Sequence, residues 1–134
     1  MAGYSGTPLV QKLGIKAGMR VYLEGAPQGY TSTLRGMPTV VMSKNLRAPL
    51  DFIQFFVTDR SELERRFPAL VAALGTDGML WVSWPKKAAR VPTDVTEDVV
   101  RDVALEGGLV DVKVCAVDAV WSGLKLVRRL KDRS

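Results

Sequence analysis

Histidine is missing from this 134-residue sequence, and cysteine occurs once. The first absence removes imidazole general bases, Ser-His-Asp and Cys-His pairs, and imidazole metal ligands. A lone Cys115 forms neither an internal disulfide nor a thiolate zinc site, the usage expected of an intracellular chain. Long apolar runs are missing too. The longest, such as residues 52–57, are strand-sized and far short of a membrane span. Residues 1–8 are small and polar, with no basic or apolar signal region, so a cytoplasmic location is expected.

What is present suits one globular domain over residues 1–134. The chain is 47% hydrophobic and 25% charged, too apolar for disorder and too short for a second core. Its 19 Lys+Arg against 14 Asp+Glu give a net charge of +5. Lys125, Arg128, Arg129, Lys131 and Arg133 face only Asp132 in the last residues, so the remainder is close to neutral. This basic tail, residues 125–134, is expected to be a solvated end that aids solubility. No aromatic interleaving marks it as a nucleic-acid face.

The pattern along the chain predicts alternating helices and strands. Thr7 as N-cap with Pro8 at the first helical position opens a short helix that Gly14 stops. Residues 19–23 read as a strand running into the turn-rich Glu24-Gly25-Ala26-Pro27-Gln28-Gly29. One or two helical turns within residues 30–36 and a short strand at 39–42 follow. Residues 50–57 form the strongest strand, apolar on both alternating sets as in a covered parallel strand. Ser61-Glu62-Leu63-Glu64 is a capping box, and Leu63, Phe67, Leu70, Val71 and Leu74 make a helical stripe. Pro68 should bend that helix or start a new turn, and Gly75 and Gly78 should end it. Trp81 and Trp84 point to opposite faces of the next strand, residues 79–84. Thr96 caps a further helix, with Val95 and Val100 as its hydrophobic staple and Gly107-Gly108 at its end. Two last strands, 110–117 and 124–130, have no room for a helix between them and pair antiparallel at one edge. The fold class is α/β, with a mostly parallel sheet and a C-terminal antiparallel hairpin.

That order resembles the class I methyltransferase-like fold, a Rossmann-like three-layer sandwich. Residues 13–21 (LGIKAGMRV) are similar to the lead into its first strand. Leu50-Asp51-Phe52-Ile53 resembles its fourth-strand entry, and residues 74–80 (LGTDGML) its lead into the fifth. Nearly the whole chain also resembles an uncharacterised bacterial family, domain of unknown function 3052. The carriers are residues 3–9 (GYSGTPL), 56–60 (FVTDR), 80–87 (LWVSWPKK), 91–97 (VPTDVTE), 113–118 (KVCAVD) and 120–125 (VWSGLK). This second likeness implies no established activity. The methyltransferase likeness implies an acidic residue and a G-x-G loop after the first strand. Glu24 and Gly25 match its start, whereas Ala26-Pro27 replaces the permissive centre. Ser43-Lys44-Asn45 stands where that fold carries its ribose-binding acid. Residues 25–49 are also too few for the fold's usual elements there. No resident cofactor is therefore expected, with S-adenosylmethionine disfavoured.

Open α/β sheets bind ligands beyond the carboxyl ends of their strands, at the switch point of strand order. Glu24, Gly25, Thr58, Asp59, Lys86 and Lys87 are expected there, with the two lysines on the charge of a small anionic or nucleotide-like ligand. No catalytic or metal-ligating residue is expected; Glu24 with Asp59 is the one carboxylate pair that bears checking. Cys115 reads as a small buried hydrophobe, and Tyr22, Tyr30 and Trp121 as structural. Asp111 and Asp118 form no acid/base pair. The expected function is a non-catalytic binding or regulatory module on a truncated scaffold, as a homodimer or with an unidentified protein partner. The alternative is a small-ligand, nucleotide or S-adenosylmethionine-binding protein, or a minimal methyltransferase, using the same edge. Nucleic acid and membrane are not expected partners.

Overall fold

The computed structural model describes residues 7–133. Helix α1 (Leu9–Leu13) comes first, and its cap is Pro8, one residue later than the expected Thr7. The Pro8 carbonyl accepts from the peptide N–H groups of Gln11 and Lys12. Gly14 ends the helix at φ 85, a left-handed conformation that glycine adopts without steric cost. Strand β1 (Arg20–Glu24), a 3₁₀ turn at Tyr30–Thr33 and the two-residue strand β2 (Val41–Met42) follow. Then come β3 (Leu50–Phe56), α2 (Arg60–Ala73), β4 (Leu74–Pro85), α3 (Glu97–Glu106), β5 (Leu109–Ala116) and β6 (Trp121–Arg128).

The strands form one sheet in the order β2-β1-β3-β4-β6-β5. The β1–β2, β1–β3 and β3–β4 pairs are parallel, and β6 runs antiparallel to both β4 and β5. This is the expected mostly parallel α/β sheet with its C-terminal hairpin. Helices α2 and α3 bring Leu63, Phe67, Leu70, Val100 and Val103 onto one face, against Ile53, Phe55, Val82 and Leu124. On the other face, Val10 and Leu13 of α1 pack with Tyr30 and Leu34 against Val21, Phe52, Phe56 and Trp81. Trp84 lies in the first of these clusters and Trp81 in the second, as the odd spacing requires. The buried Trp81 indole N–H donates to the Leu13 carbonyl at 2.9 Å, so α1 is tied to the sheet through a satisfied polar atom.

Two local readings are corrected. Helix α2 begins at Arg60 with Asp59 at its cap position, so Ser61 caps nothing there. The Arg60 peptide N–H donates instead to Asp94 Oδ1 at 2.6 Å, from the loop that leads into α3. A distant carboxylate has taken the role of the local box. Pro68 lies inside α2, yet the helix continues to Ala73. Gly75 and Gly78 do not end it; both belong to β4, which starts directly at Leu74. A Cβ on Gly78 would sit 2.7 Å from the Leu50 carbonyl oxygen, so this glycine permits β3 and β4 to approach where their register shifts.

The basic run is not a free tail along its whole length. Residues 125–128 lie in β6. Arg128 donates to the carbonyls of Val71 and Leu74 at 2.9 and 2.6 Å, and Arg129 to that of Leu105 at 3.5 Å. The Val71 and Leu105 carbonyls, which accept from the peptide N–H groups just past α2 and α3, gain a charged donor from these guanidinium groups. Among the described residues, no helix is long and apolar enough to cross a membrane.

Candidate functional site

Strand order reverses between β1 and β3, and the carboxyl ends of β1, β3 and β4 lie side by side. Glu24 and Gly25 close β1, Thr58 and Asp59 follow β3, and Lys86 and Lys87 follow β4. The six expected residues therefore share one edge. Among the described residues, no hydrogen bond or ion pair joins one of these segments to another. Each segment is held by something else.

Glu24 is held most firmly. Arg66 of α2 donates from Nε to Oε2 at 2.7 Å and from Nη2 to Oε1 at 2.6 Å, a two-pronged pair. The Tyr22 hydroxyl adds a third bond to Oε1 at 2.8 Å. The Glu24 and Arg66 side chains are 18% and 25% exposed, so the pair is mostly shielded from solvent. Hydrogen bonds from Arg66 hold the Glu24 carboxyl below its usual value, against the opposing effect of burial. Burial, and then Glu24, push the Tyr22 phenol up. Arg66 was not anticipated. Its position three residues after Leu63 and four before Leu70, on the inward side of α2, is the signal that could have found it.

At Gly25 the backbone has φ 72, and a Cβ there would lie 2.6 Å from the Phe56 carbonyl oxygen. Only glycine fits this turn. The peptide N–H groups of Gly25 and Ala26 meet no acceptor among the described residues. Thr58 lends its carbonyl to the Thr93 hydroxyl at 2.6 Å and to the Asp94 peptide N–H at 3.3 Å. Lys86 donates its peptide N–H to Val120 at 2.7 Å, extending the β4–β6 ladder. Glu24 pairs with Arg66 and not with Asp59, and no group of three or more potential metal ligands occurs among the described residues.

Beneath the edge runs a buried polar chain. The Tyr30 hydroxyl donates to Gln54 Oε1 at 2.7 Å, and Gln54 Nε2 donates to Ser83 Oγ at 3.1 Å. Phe56 packs edge-on to Tyr30 and Trp121, with ring centroids 4.8 and 5.2 Å apart. Burial raises the Tyr30 phenol above its usual value. Both tyrosines and Trp121 thus have the structural surroundings expected of them.

No family model matches the chain, and neither does any curated protein. Solved structures do match in fold. Magnesium protoporphyrin IX methyltransferase from Synechocystis PCC 6803 with bound SAH aligns at TM-score 0.60 and 13% identity, over 90% of this chain and 78% of that one. The same enzyme with bound SAM aligns at TM-score 0.59 and 11% identity, over 90% and 74%. A TehB-like SAM-dependent methyltransferase from Corynebacterium glutamicum aligns at 0.57 and 14%, over 90% and 85%. The fold is that of class I SAM-dependent methyltransferases. These neighbours correct the expectation of no cofactor, with S-adenosylmethionine disfavoured. That expectation rested on Ala26-Pro27 in the turn after β1, on Ser43-Lys44-Asn45 in place of an acid, and on the few residues between β1 and β3. The shortening reduces the β2 side of the sheet to a 3₁₀ turn and a two-residue strand, while the β1–β3 switch point stays intact.

Proposed function

We propose that the chain is a small S-adenosylmethionine-binding domain on a shortened methyltransferase scaffold, acting as a binding or regulatory module. The supporting observation is the turn after β1. Gly25 bends at φ 72 against the Phe56 carbonyl at the switch point, and the peptide donors of Gly25 and Ala26, which meet no acceptor among the described residues, suit a carboxylate-bearing ligand. Gly25, Ala26 and Glu24 would hold the ligand's amino-acid end, with Thr58 and Asp59 beside them. Bound there, the cofactor supplies an electrophilic methyl group on a sulfonium. The likeness to domain of unknown function 3052 is part of this reading, as is a cytoplasmic setting for a chain with one cysteine.

The choice of module over catalyst follows from proton chemistry. Transfer to most oxygen or nitrogen acceptors requires a group that takes a proton. The sequence has no histidine, Arg66 keeps Glu24 a weak base, and the two nearby phenols titrate above their usual range. Calorimetry with S-adenosylmethionine and S-adenosylhomocysteine is the test. Sub-millimolar binding is expected, weakened about tenfold or more by Ala26→Glu, which sets a carboxylate beside that of the ligand. Absence of heat and of any thermal shift at millimolar ligand would overturn the binding reading. Catalytic accumulation of S-adenosylhomocysteine with a cell extract as acceptor source would overturn the module reading.

A further inference from the structure

Away from the carboxyl edge, a groove of about 460 Å³ lies between α1 and β5, lined in part by Gln11, Lys12, Lys113, Val114 and Cys115. Lys113 stands directly opposite Lys125 in the β5–β6 register. Like charges placed cross-strand destabilise a sheet, so the pairing needs a reason. Lys113 also donates to the Lys12 carbonyl at 3.1 Å, which draws its ammonium to the C-terminal end of α1. Lys125 is only partly exposed. Burial, followed by the fields of Lys113 and Lys16, lowers its affinity for the proton. Lys12 and Lys113 act on Cys115 in the same way, against the raising effect of burial on its thiol.

Every ion pair among the described residues uses arginine, and none uses lysine. Among the described residues, Lys12 and Lys113 of the groove, with Lys125 across the strand from Lys113, therefore bring together positive charge that no ion pair neutralises. We infer that this groove is a second binding site, which takes a multiply charged phosphate-type anion on Lys12 and Lys113, with Lys125 adding its charge from the neighbouring strand. Flexible ammonium groups recognise such an anion as point charges. The described lining of the groove presents no aromatic platform of the kind on which single-stranded bases stack. Its place on α1 and β5 separates it from Glu24 and Gly25, so it stands independently of the function proposed above.

The test is titration of the full chain with pyrophosphate, tripolyphosphate and adenosine triphosphate at low ionic strength, followed by calorimetry and thermal melting. Sub-millimolar binding is expected, weakened about tenfold or more in Lys113→Gln/Lys125→Gln and unchanged in Lys44→Gln. Without anion, the Lys113/Lys125 variant should melt no lower than the wild type, because a repulsion has been removed. Pyrophosphate should then raise the melting temperature of the wild type alone. Equal affinity for tripolyphosphate and adenosine triphosphate assigns recognition to the phosphates; a stronger nucleotide assigns part of it to the nucleoside. No binding at millimolar anion, binding that survives Lys113→Gln/Lys125→Gln, or loss of binding in Lys44→Gln would overturn the inference. So would tighter binding of a short DNA duplex than of pyrophosphate.

Discussion

Arg66 and Glu24 approach from α2 and β1, residues far apart in sequence, and their two-pronged contact is mostly shielded from water. Replacing Arg66 with Ala leaves a half-buried carboxylate with only the Tyr22 hydroxyl as donor, and should cost about 1–3 kcal/mol at neutral pH. The pH dependence has a fixed sign. Glu24 has a lowered folded-state pKa, so the pair's contribution is present above the usual carboxyl value of 4.5 and disappears as pH falls through the lower folded value. Urea melts of wild type and Arg66→Ala should therefore differ at pH 7 and converge in strong acid. A constant difference across that range would show that packing of the Arg66 stem, and not its charge, is the source. Glu24 itself stood out in the sequence as an acid that ends the first strand. Its partner was not, since a single arginine on a helix carries no sign of which distant carboxylate it meets.

At the scale of elements, periodicity and turn chemistry placed each helix and strand, and erred where a neighbour intervened. Thr96 caps α3 as expected, accepting from the Val99 N–H at 3.2 Å. Ser61 looked equally good as a cap, yet Asp94 supplies the start of α2 from the far side of a loop. Asp94→Ala should thus cost about 1 kcal/mol, while Ser61→Ala should stay within about 0.5 kcal/mol. Denaturant midpoints of the two variants decide between the local and the tertiary cap. Gly75 and Gly78 show the same limit. Read along the chain they are helix stops, whereas in the sheet they make room for Leu50.

Across the whole molecule, the C-terminal strand is fastened to both helices of one face by the arginines at its end, Arg128 and Arg129. Arg128 reaches two carbonyls at the end of α2. Arg128→Ala should cost about 1–3 kcal/mol, because two shielded carbonyls lose a charged donor. Amide exchange should quicken in β6 and at the end of α2 in that variant, and not in β1. A purely solvated tail would show neither effect. The parallel order of β1, β3 and β4 also explains why the six candidate residues share an edge without touching: each lies at the end of a separate strand.

Local propensity and apolar spacing determined the α/β class, the antiparallel ending and the opposite faces of Trp81 and Trp84, because these depend on residues near one another in the chain. The tertiary structure alone decided that Arg66 meets Glu24, that Asp94 serves α2, and that Lys113 stands across from Lys125. Those pairings depend on the register and order of strands distant in sequence, which no short-range pattern encodes. It also decided that β1 and β3 lie side by side at the switch point, with only a 3₁₀ turn and a two-residue strand between them in the chain.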